Sequence, residues 1–134
     1  MSFTHTIKRS WASGSLSLDS NEVIESNSED NRDIPVPGGA TAEISINLIA
    51  EQVKSVFAVS NIDCTITTNF SAPSEEDVGD TIELKATVPY IWSTNSGFTN
   101  PFTVDVTSMF LHNGGGEDED ATVQLRVLQD SIPD

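Results

Sequence analysis

Apolar and polar residues alternate with a period of two along most of this chain, and that period is typical of β-strands with one buried face. The strongest alternation places an aliphatic side chain at nearly every second position. It predicts strands at residues 41–49, 53–60, 62–69, 81–88 and 121–128. Weaker alternation predicts strands at 2–9 and 102–107. A bulge at Ser108 is expected to shift the apolar positions before the last of these strands resumes at 109–111.

Residues that favour turns separate these runs. Asp19-Ser20-Asn21 predicts the turn of a short hairpin whose arms are 15–18 and 22–26. Seven consecutive polar residues at 27–33 predict a solvated loop or the end of a strand. Residues 34–39 predict an extended, edge-like segment that leads into a turn, and further turns or loops are predicted at 50–52, 71–80 and 112–120.

The stretch 80–113 is predicted to anchor the hydrophobic core. Its first strand ends at Pro89, which has no amide hydrogen to donate to a sheet. A corner formed by Pro89, Tyr90 and Trp92 then leads into a polar loop at 93–100. That loop carries no charged residue although the chain is acidic, so we expect it to be a place where a partner surface docks.

These elements predict an all-β fold. About eight short strands separated by polar turns, without a long helix, indicate a single antiparallel β-sandwich with a jelly-roll or related Greek-key topology. The length of 134 residues corresponds to one domain, 1–134, with a short flexible C-terminal tail at 130–134.

The negative charge of the chain disfavours nucleic acids and membranes as partners. The chain has 21 acidic and 6 basic residues, a formal net charge of −15, which repels nucleic-acid phosphates and anionic membranes. Neither a signal-peptide core nor an apolar run of about 20 residues is present, so the sequence predicts a protein made in the cytoplasm and not inserted in a membrane. The single cysteine, Cys64, alternates with Ile62 and Ile66 and is predicted to be a small buried hydrophobe.

The residues that usually carry catalysis do not form a recognisable pattern. His5 and His112 are isolated, no Gly-x-Ser-x-Gly motif occurs, and acids follow Gly114-Gly115-Gly116, where they would repel a phosphate. We therefore predict no catalytic, cofactor or metal residue and no enzymatic activity. Asp105, between two valines, is expected to cap a loop amide or to pair with Lys85 or Arg126.

Two binding chemistries remain as alternatives. Calcium prefers hard oxygen ligands, which the acidic segments could supply, although neither has EF-hand spacing. The candidate ligands are Glu75, Asp77 and Asp80 in one loop and Glu117, Asp118, Glu119 and Asp120 in another. A sugar ring could stack on aromatic side chains, for which the candidates are Trp11, Tyr90, Trp92 and Phe98. Aromatic residues also anchor protein interfaces, and that interpretation selects Tyr90, Trp92, Phe98 and Phe102 as interface residues.

Four segments resemble small all-β virion proteins of tailed bacteriophages and prophages. They are Phe3 to Lys8 with Trp11, Leu84 to Trp92, Asn100 to Thr107, and Val123 to Leu128. The resemblance implies a capsid decoration (cement) protein or related accessory subunit located in the virion. It implies binding to the major capsid protein or other virion subunits and assembly as a homo-oligomer, such as a trimer. The alternative is a carbohydrate- or calcium-binding β-sandwich module.

Overall fold

The computed structural model describes residues 2–71 and 78–130. These residues contain ten β-strands, one 3-10 turn and no α-helix. In chain order the elements are β1 (Phe3–Ser13), β2 (Leu16–Ser26), β3 (Ser28–Val36), β4 (Thr41–Leu48), the 3-10 turn (Ala50–Gln52), β5 (Val53–Ser60), β6 (Cys64–Thr68), β7 (Thr81–Leu84), β8 (Tyr90–Ser93), β9 (Val106–Asn113) and β10 (Ala121–Gln129). The all-β prediction is confirmed. Most of the predicted loop 71–80 and most of the predicted tail 130–134 lie outside the described residues.

Strands β3 to β10 pair in a nested order. The chain pairs β6 with β7, β5 with β8, β4 with β9 and β3 with β10, and every pair is antiparallel. Two further antiparallel pairs, β5 with β10 and β6 with β9, join these ribbons side by side. The result is a front sheet, ordered β3-β10-β5-β8, and a back sheet, ordered β4-β9-β6-β7.

One hydrophobic core draws on both sheets. Its members alternate along each strand, as in Val56 and Ala58 on β5 or Val123, Leu125 and Val127 on β10. The back sheet contributes buried side chains from all four of its strands, including Ile46, Ile66, Leu84 and Leu111. Burial of each aliphatic side chain contributes roughly 1.5–3 kcal/mol, so these two faces hold the sheets together.

The remaining two strands form a long hairpin, which we call the arm. β1 and β2 pair along their full length, from Phe3 with Ser26 to Ser13 with Leu16. The two-residue connection begins with Gly14 at φ +59°, a conformation that a type II′ turn requires and glycine accepts without strain. The predicted hairpin around Asp19-Ser20-Asn21 is therefore wrong. Those polar residues remain extended because they pair with Lys8, Arg9 and Ser10 of β1, and the chain turns at Gly14 instead.

The ten strands exceed the predicted number of about eight, and two of the differences come from polar or proline-containing segments. Of the two alternatives for 27–33, the strand end is correct and the loop is wrong, because residues 28–33 begin β3, whose backbone pairs with β10. Its charges are accommodated at the sheet edge, where Arg32 pairs with Asp30 and Arg126 with Asp33. The predicted corner at Tyr90 and Trp92 is instead β8, which begins directly after Pro89.

The predicted strand 102–107 is also wrong in its first half. β9 begins only at Val106, and Pro101 to Asp105 form an irregular connection. The register shift near Ser108 is present, but the extra residue lies on β4, between Ser45 and Leu48. Strands 53–60 and 121–128 are confirmed, the second with one additional residue.

Candidate interaction surface

The arm lies across the outer face of the front sheet. Ile7 and Ile24 are buried against Leu128 of β10, and Phe3 packs at the edge of this cluster. Leu128 points away from the main core because its neighbour Val127 points into it. This small second cluster therefore fixes the base of the arm to the back of a sheet whose other face is already filled.

Polar side chains also hold the base of the arm. His5 makes hydrogen bonds from Nδ1 to Ser55 Oγ and from Nε2 to Glu29 Oε2, both 2.8 Å long. Farther along, the Ser93 hydroxyl donates to Glu22 Oε1 at 2.5 Å, and Glu22 also lies 3.6 Å from Arg9. These bonds connect the arm to β3, β5 and β8, the last of which is an edge strand.

The His5 imidazole bonds a hydroxyl, that of Ser55, on one side and a carboxylate, that of Glu29, on the other. A hydrolase triad has the same sequence of groups. The surroundings differ from a hydrolase site. Ser55 lies on an interior strand, paired with Leu128 on one side and Ser93 on the other, and it is 1% exposed. Backbone amides in such a ladder bind the neighbouring strands, whereas an oxyanion hole needs amides that are free. The arrangement is suited to fastening the arm.

Beyond its base, the arm carries an uncovered apolar face. Trp11 and Leu18 are directly opposed across β1 and β2, and they are 55% and 62% exposed. By strand alternation they lie on the same face as the buried Ile7 and Ile24. Leu16 extends this face toward the turn and is also exposed. Because Glu22 already contacts edge strand β8, the distal half of the arm, residues 10–18, extends past that edge.

A groove of about 320 Å³ lies beside the base of the arm. One wall is the edge of β1 from Thr4 to Lys8, and no described strand pairs with that edge. The floor is the outer face of the front sheet, where Phe57 and Ile91 provide apolar surface and Arg126 provides a guanidinium group. An unpaired strand edge above an apolar floor can accept an additional extended strand.

A second groove, of about 390 Å³, lies between the arm and the loop after β8. The arm contributes Arg9 and Glu22, and the loop contributes Asn95, Ser96 and Phe98. Phe98 is 72% exposed, so its ring faces solvent beside polar groups.

The four predicted interface residues do not lie together on the surface. Trp92 and Phe102 belong to the main core and are 5% and 2% exposed. Trp92 Nε1 donates a hydrogen bond to the Phe98 carbonyl oxygen at 2.9 Å, which holds the loop above it. Tyr90 is half-buried against the core, and burial raises the pKa of its hydroxyl. Phe98 is the member of the set that presents its side chain to solvent.

Two of the acids that were candidates for calcium, Asp80 and Asp120, accept hydrogen bonds from the protein itself. Both carboxylate oxygens of Asp80 accept hydrogen bonds from Thr103, at 2.8 Å from its amide and 2.7 Å from its hydroxyl. Asp120 accepts from the Gly38 amide at 3.1 Å. Glu75 and Asp77 lie outside the described residues. Within 2–71 and 78–130, no group of three or more His, Cys, Asp or Glu side chains is arranged to hold a metal ion.

The remaining residues singled out in the sequence have structural contacts. Asp105 caps a loop amide, accepting from Ala50 N at 2.9 Å, which is the first of its two predicted roles. His112 lies between two hydroxyls, Thr41 Oγ1 at 2.9 Å and Thr67 Oγ1 at 3.2 Å. Cys64 is buried in the core as predicted, and burial raises the pKa of its thiol to about 11.

Comparisons of the chain with protein-family models, with curated proteins and with solved structures find no match. Within the part of the chain that the structure describes, no helix is long and apolar enough to cross a membrane.

The apolar face of the arm is the feature that the sequence analysis missed. Its signal is present in the sequence, because Trp11 on one side of Gly14 and Leu16 and Leu18 on the other keep the alternation of a strand pair. A hairpin centred on Gly14 would have placed Trp11 opposite Leu18.

Proposed function

We propose that this protein is a non-enzymatic structural subunit of a tailed-bacteriophage virion, a capsid decoration or accessory protein that binds the particle surface or fellow subunits. The observation that carries the proposal is the arm, which extends an apolar face with Trp11 and Leu18 past the edge of the front sheet. Contiguous apolar surface of this kind marks protein contact sites, because leaving it in water is unfavourable.

The strand pairing supports the finer fold that we propose, a jelly-roll β-sandwich. Four nested antiparallel pairs are equivalent to one long hairpin with β6 and β7 at its turn and β3 and β10 at its open end. Rolling such a hairpin produces two facing sheets of four strands. Jelly rolls are used by viral capsid proteins and also by lectins, so this topology agrees with the proposed role without deciding it.

The charge of −15 also agrees with a subunit that accumulates in many copies beside a genome. Like charges keep free copies apart and disfavour adsorption to nucleic acid. Attachment then depends on a local apolar contact, which the distal half of the arm provides.

The proposal is tested by measuring cosedimentation with purified phage capsids that lack the protein. Trp11→Ser and Leu18→Ser are expected to weaken particle binding by about tenfold or more, as substitutions of central apolar anchors do. Val23→Ser is the matched control, because Val23 is 62% exposed like Leu18 but lies on the opposite face of β2. A wild-type protein that stays monomeric and does not sediment with particles would refute the proposal.

The groove at Phe98 favours a second candidate, a carbohydrate-binding module. An exposed aromatic ring beside Asn95, Ser96, Arg9 and Glu22 offers stacking and hydrogen bonding to a sugar. A glycan array followed by titration of any positive sugar tests this candidate, with Phe98→Ala expected to abolish the signal. Absence of binding to every glycan would eliminate it.

A further inference from the structure

We infer that the groove beside β1 receives the distal half of the arm of a second copy of this chain. The incoming arm lies on Phe57 and Ile91 and adds its β2 strand to the free edge of β1. This inference rests on the proposed structural role and deepens it by naming one partner, a second copy, and the two surfaces that meet.

The apolar contact between the base of the arm and the front sheet indicates what the uncovered part of each surface can bind. The base of each arm packs Ile7 and Ile24 onto the outer face of its own front sheet. In the distal half, the apolar face of the arm continues with Trp11 and Leu18. Beside the arm, the outer face of the front sheet continues with Phe57 and Ile91. The uncovered face of the distal half of the arm and the uncovered floor of the groove are both apolar, like the two surfaces that are buried together at the base of the arm.

The free edge of β1 also has the length that β2 of an incoming arm requires. The groove wall offers five consecutive residues, Thr4 to Lys8, about 17 Å of edge at roughly 3.3 Å per residue. The five residues Ser17 to Asn21 of an incoming β2 have the same length, and their outer edge is not paired by a described strand. Pairing the two edges would satisfy backbone groups that otherwise depend on water.

The charges of the two surfaces also favour this contact. An antiparallel register that sets Leu18 against Ile7 places both on the floor side, and it places Asp19 of the incoming arm on the same outward side as Lys8. Among the described residues Lys8 has no ion pair, although the chain has 21 acids and only 6 bases. Arg126 is already paired with Asp33, so Lys8 is the basic residue of the groove wall that can attract an acid of an incoming copy.

The contact is heterologous, since the arm of one copy meets the groove of another and the two surfaces differ. Two copies can exchange arms reciprocally and so use both arms and both grooves. Without that exchange, each bound pair has one free arm and one free groove, and the contact closes as a ring of three or more copies or continues as a chain. Mixing two differently damaged variants therefore distinguishes it from a contact between like surfaces.

The experiment measures self-association by analytical ultracentrifugation of the full chain. Leu18→Glu damages the arm and Ile91→Glu damages the groove, and each is expected to weaken self-association by about tenfold or more. Val23→Glu and Val88→Glu are controls at exposed positions outside the contact and should leave it unchanged. Unchanged melting temperatures show that the variants are folded. In an equimolar mixture, the intact groove of Leu18→Glu binds the intact arm of Ile91→Glu, so a dimer of one copy each appears and grows no further.

The inference is overturned if the wild type is monomeric over the concentration range, if Ile91→Glu associates like the wild type, or if the mixture contains only monomers. Cosedimentation with capsids is measured on the same preparations. A monomer that binds capsids would overturn this inference and leave the virion role standing. A protein that associates through arm and groove but ignores capsids would do the reverse.

Discussion

At the scale of single residues, Asn69 organises the loops at one end of the back sheet. Its backbone has φ +65°, a region that asparagine enters more readily than most residues. The side-chain amide nitrogen donates to the carbonyl oxygens of Val78 at 2.9 Å and Asp105 at 2.7 Å. The side-chain oxygen accepts from the Thr107 amide at 2.8 Å. One side chain thus links β6 to the segments that precede β7 and β9.

Replacing Asn69 separates the two contributions of this residue. Asn69→Ala removes these three short hydrogen bonds together with two longer ones and places a less tolerant residue at positive φ, so the free energy of unfolding should fall by about 3–5 kcal/mol. Asn69→Gly removes the same bonds but accepts the backbone conformation, and its loss should be smaller by about 1 kcal/mol. Urea denaturation measures both values. Equal losses would show that the backbone conformation contributes nothing.

Cys64 gives the stability a dependence on high pH. Its thiol has a pKa of about 11 in the fold against 9.0 for a free thiol, because burial disfavours the thiolate. The folded state therefore keeps a proton that the unfolded state loses between pH 9 and 11, and the free energy of unfolding falls across that window. We expect Cys64→Ala to reduce this slope, measured by urea denaturation from pH 8 to 11. A slope identical to that of the wild type would contradict the assignment.

At the scale of elements, the loop after β8 depends on a residue beneath it. Trp92 fills the core and its indole nitrogen holds the Phe98 carbonyl oxygen, while the Phe98 ring is in solvent. The two aromatic residues therefore have different roles, although they are six positions apart and were predicted to act together.

Trp92→Ala should lower the free energy of unfolding by about 3–5 kcal/mol, the usual cost of deleting a large buried aromatic side chain. Phe98→Ala should change it by less than about 0.5 kcal/mol, because the side chain is exposed. Thermal and urea unfolding of both variants check the difference. A Trp92→Ala protein with wild-type stability and impaired assembly would instead support the predicted interface role of Trp92.

Strands were predictable from the sequence where one face is buried by the chain itself. β5 and β10 lie inside the front sheet, so their inward residues are aliphatic and the alternation gives their bounds closely. β3 was not predictable in this way, because its residues 28–33 are polar and are held by backbone pairing and by ion pairs such as Arg126 with Asp33. β8 follows a proline and has four residues, too few for a period to emerge.

The candidate surface was less predictable than the fold for a related reason. The pattern of residues around Trp11 indicates an apolar face, but whether that face is covered depends on where the sheet ends. His5 and Ser55, or Glu22 and Ser93, are far apart in sequence, and only the tertiary structure reveals that they fasten the arm and leave its distal half uncovered.

At the scale of the whole molecule, the arm is an addition to a core that does not include it. No described residue of the arm belongs to the main hydrophobic cluster, and Leu128 is the one core-forming residue that the arm covers in its second cluster. Deleting residues 2–26 should therefore leave a protein that unfolds cooperatively, less stable by about 2–4 kcal/mol because Leu128 becomes exposed and the arm contacts are lost. Circular dichroism during urea denaturation tests this, and a non-cooperative transition would show that the core requires the arm.

The nested pairing also determines when the protein can fold during synthesis. The first strand of the two sheets, β3, pairs with the last strand, β10. Ser28 therefore cannot pair until Gln129 has been synthesised. At roughly 5–20 residues per second, the ribosome needs several seconds to make the segment between them. Throughout that interval a nascent chain exposes an unpaired edge and the apolar arm, both of which favour aggregation with neighbouring nascent chains. The net charge of −15 would then act on the polysome, where repulsion between like charges keeps unfinished chains apart until the last strand pairs.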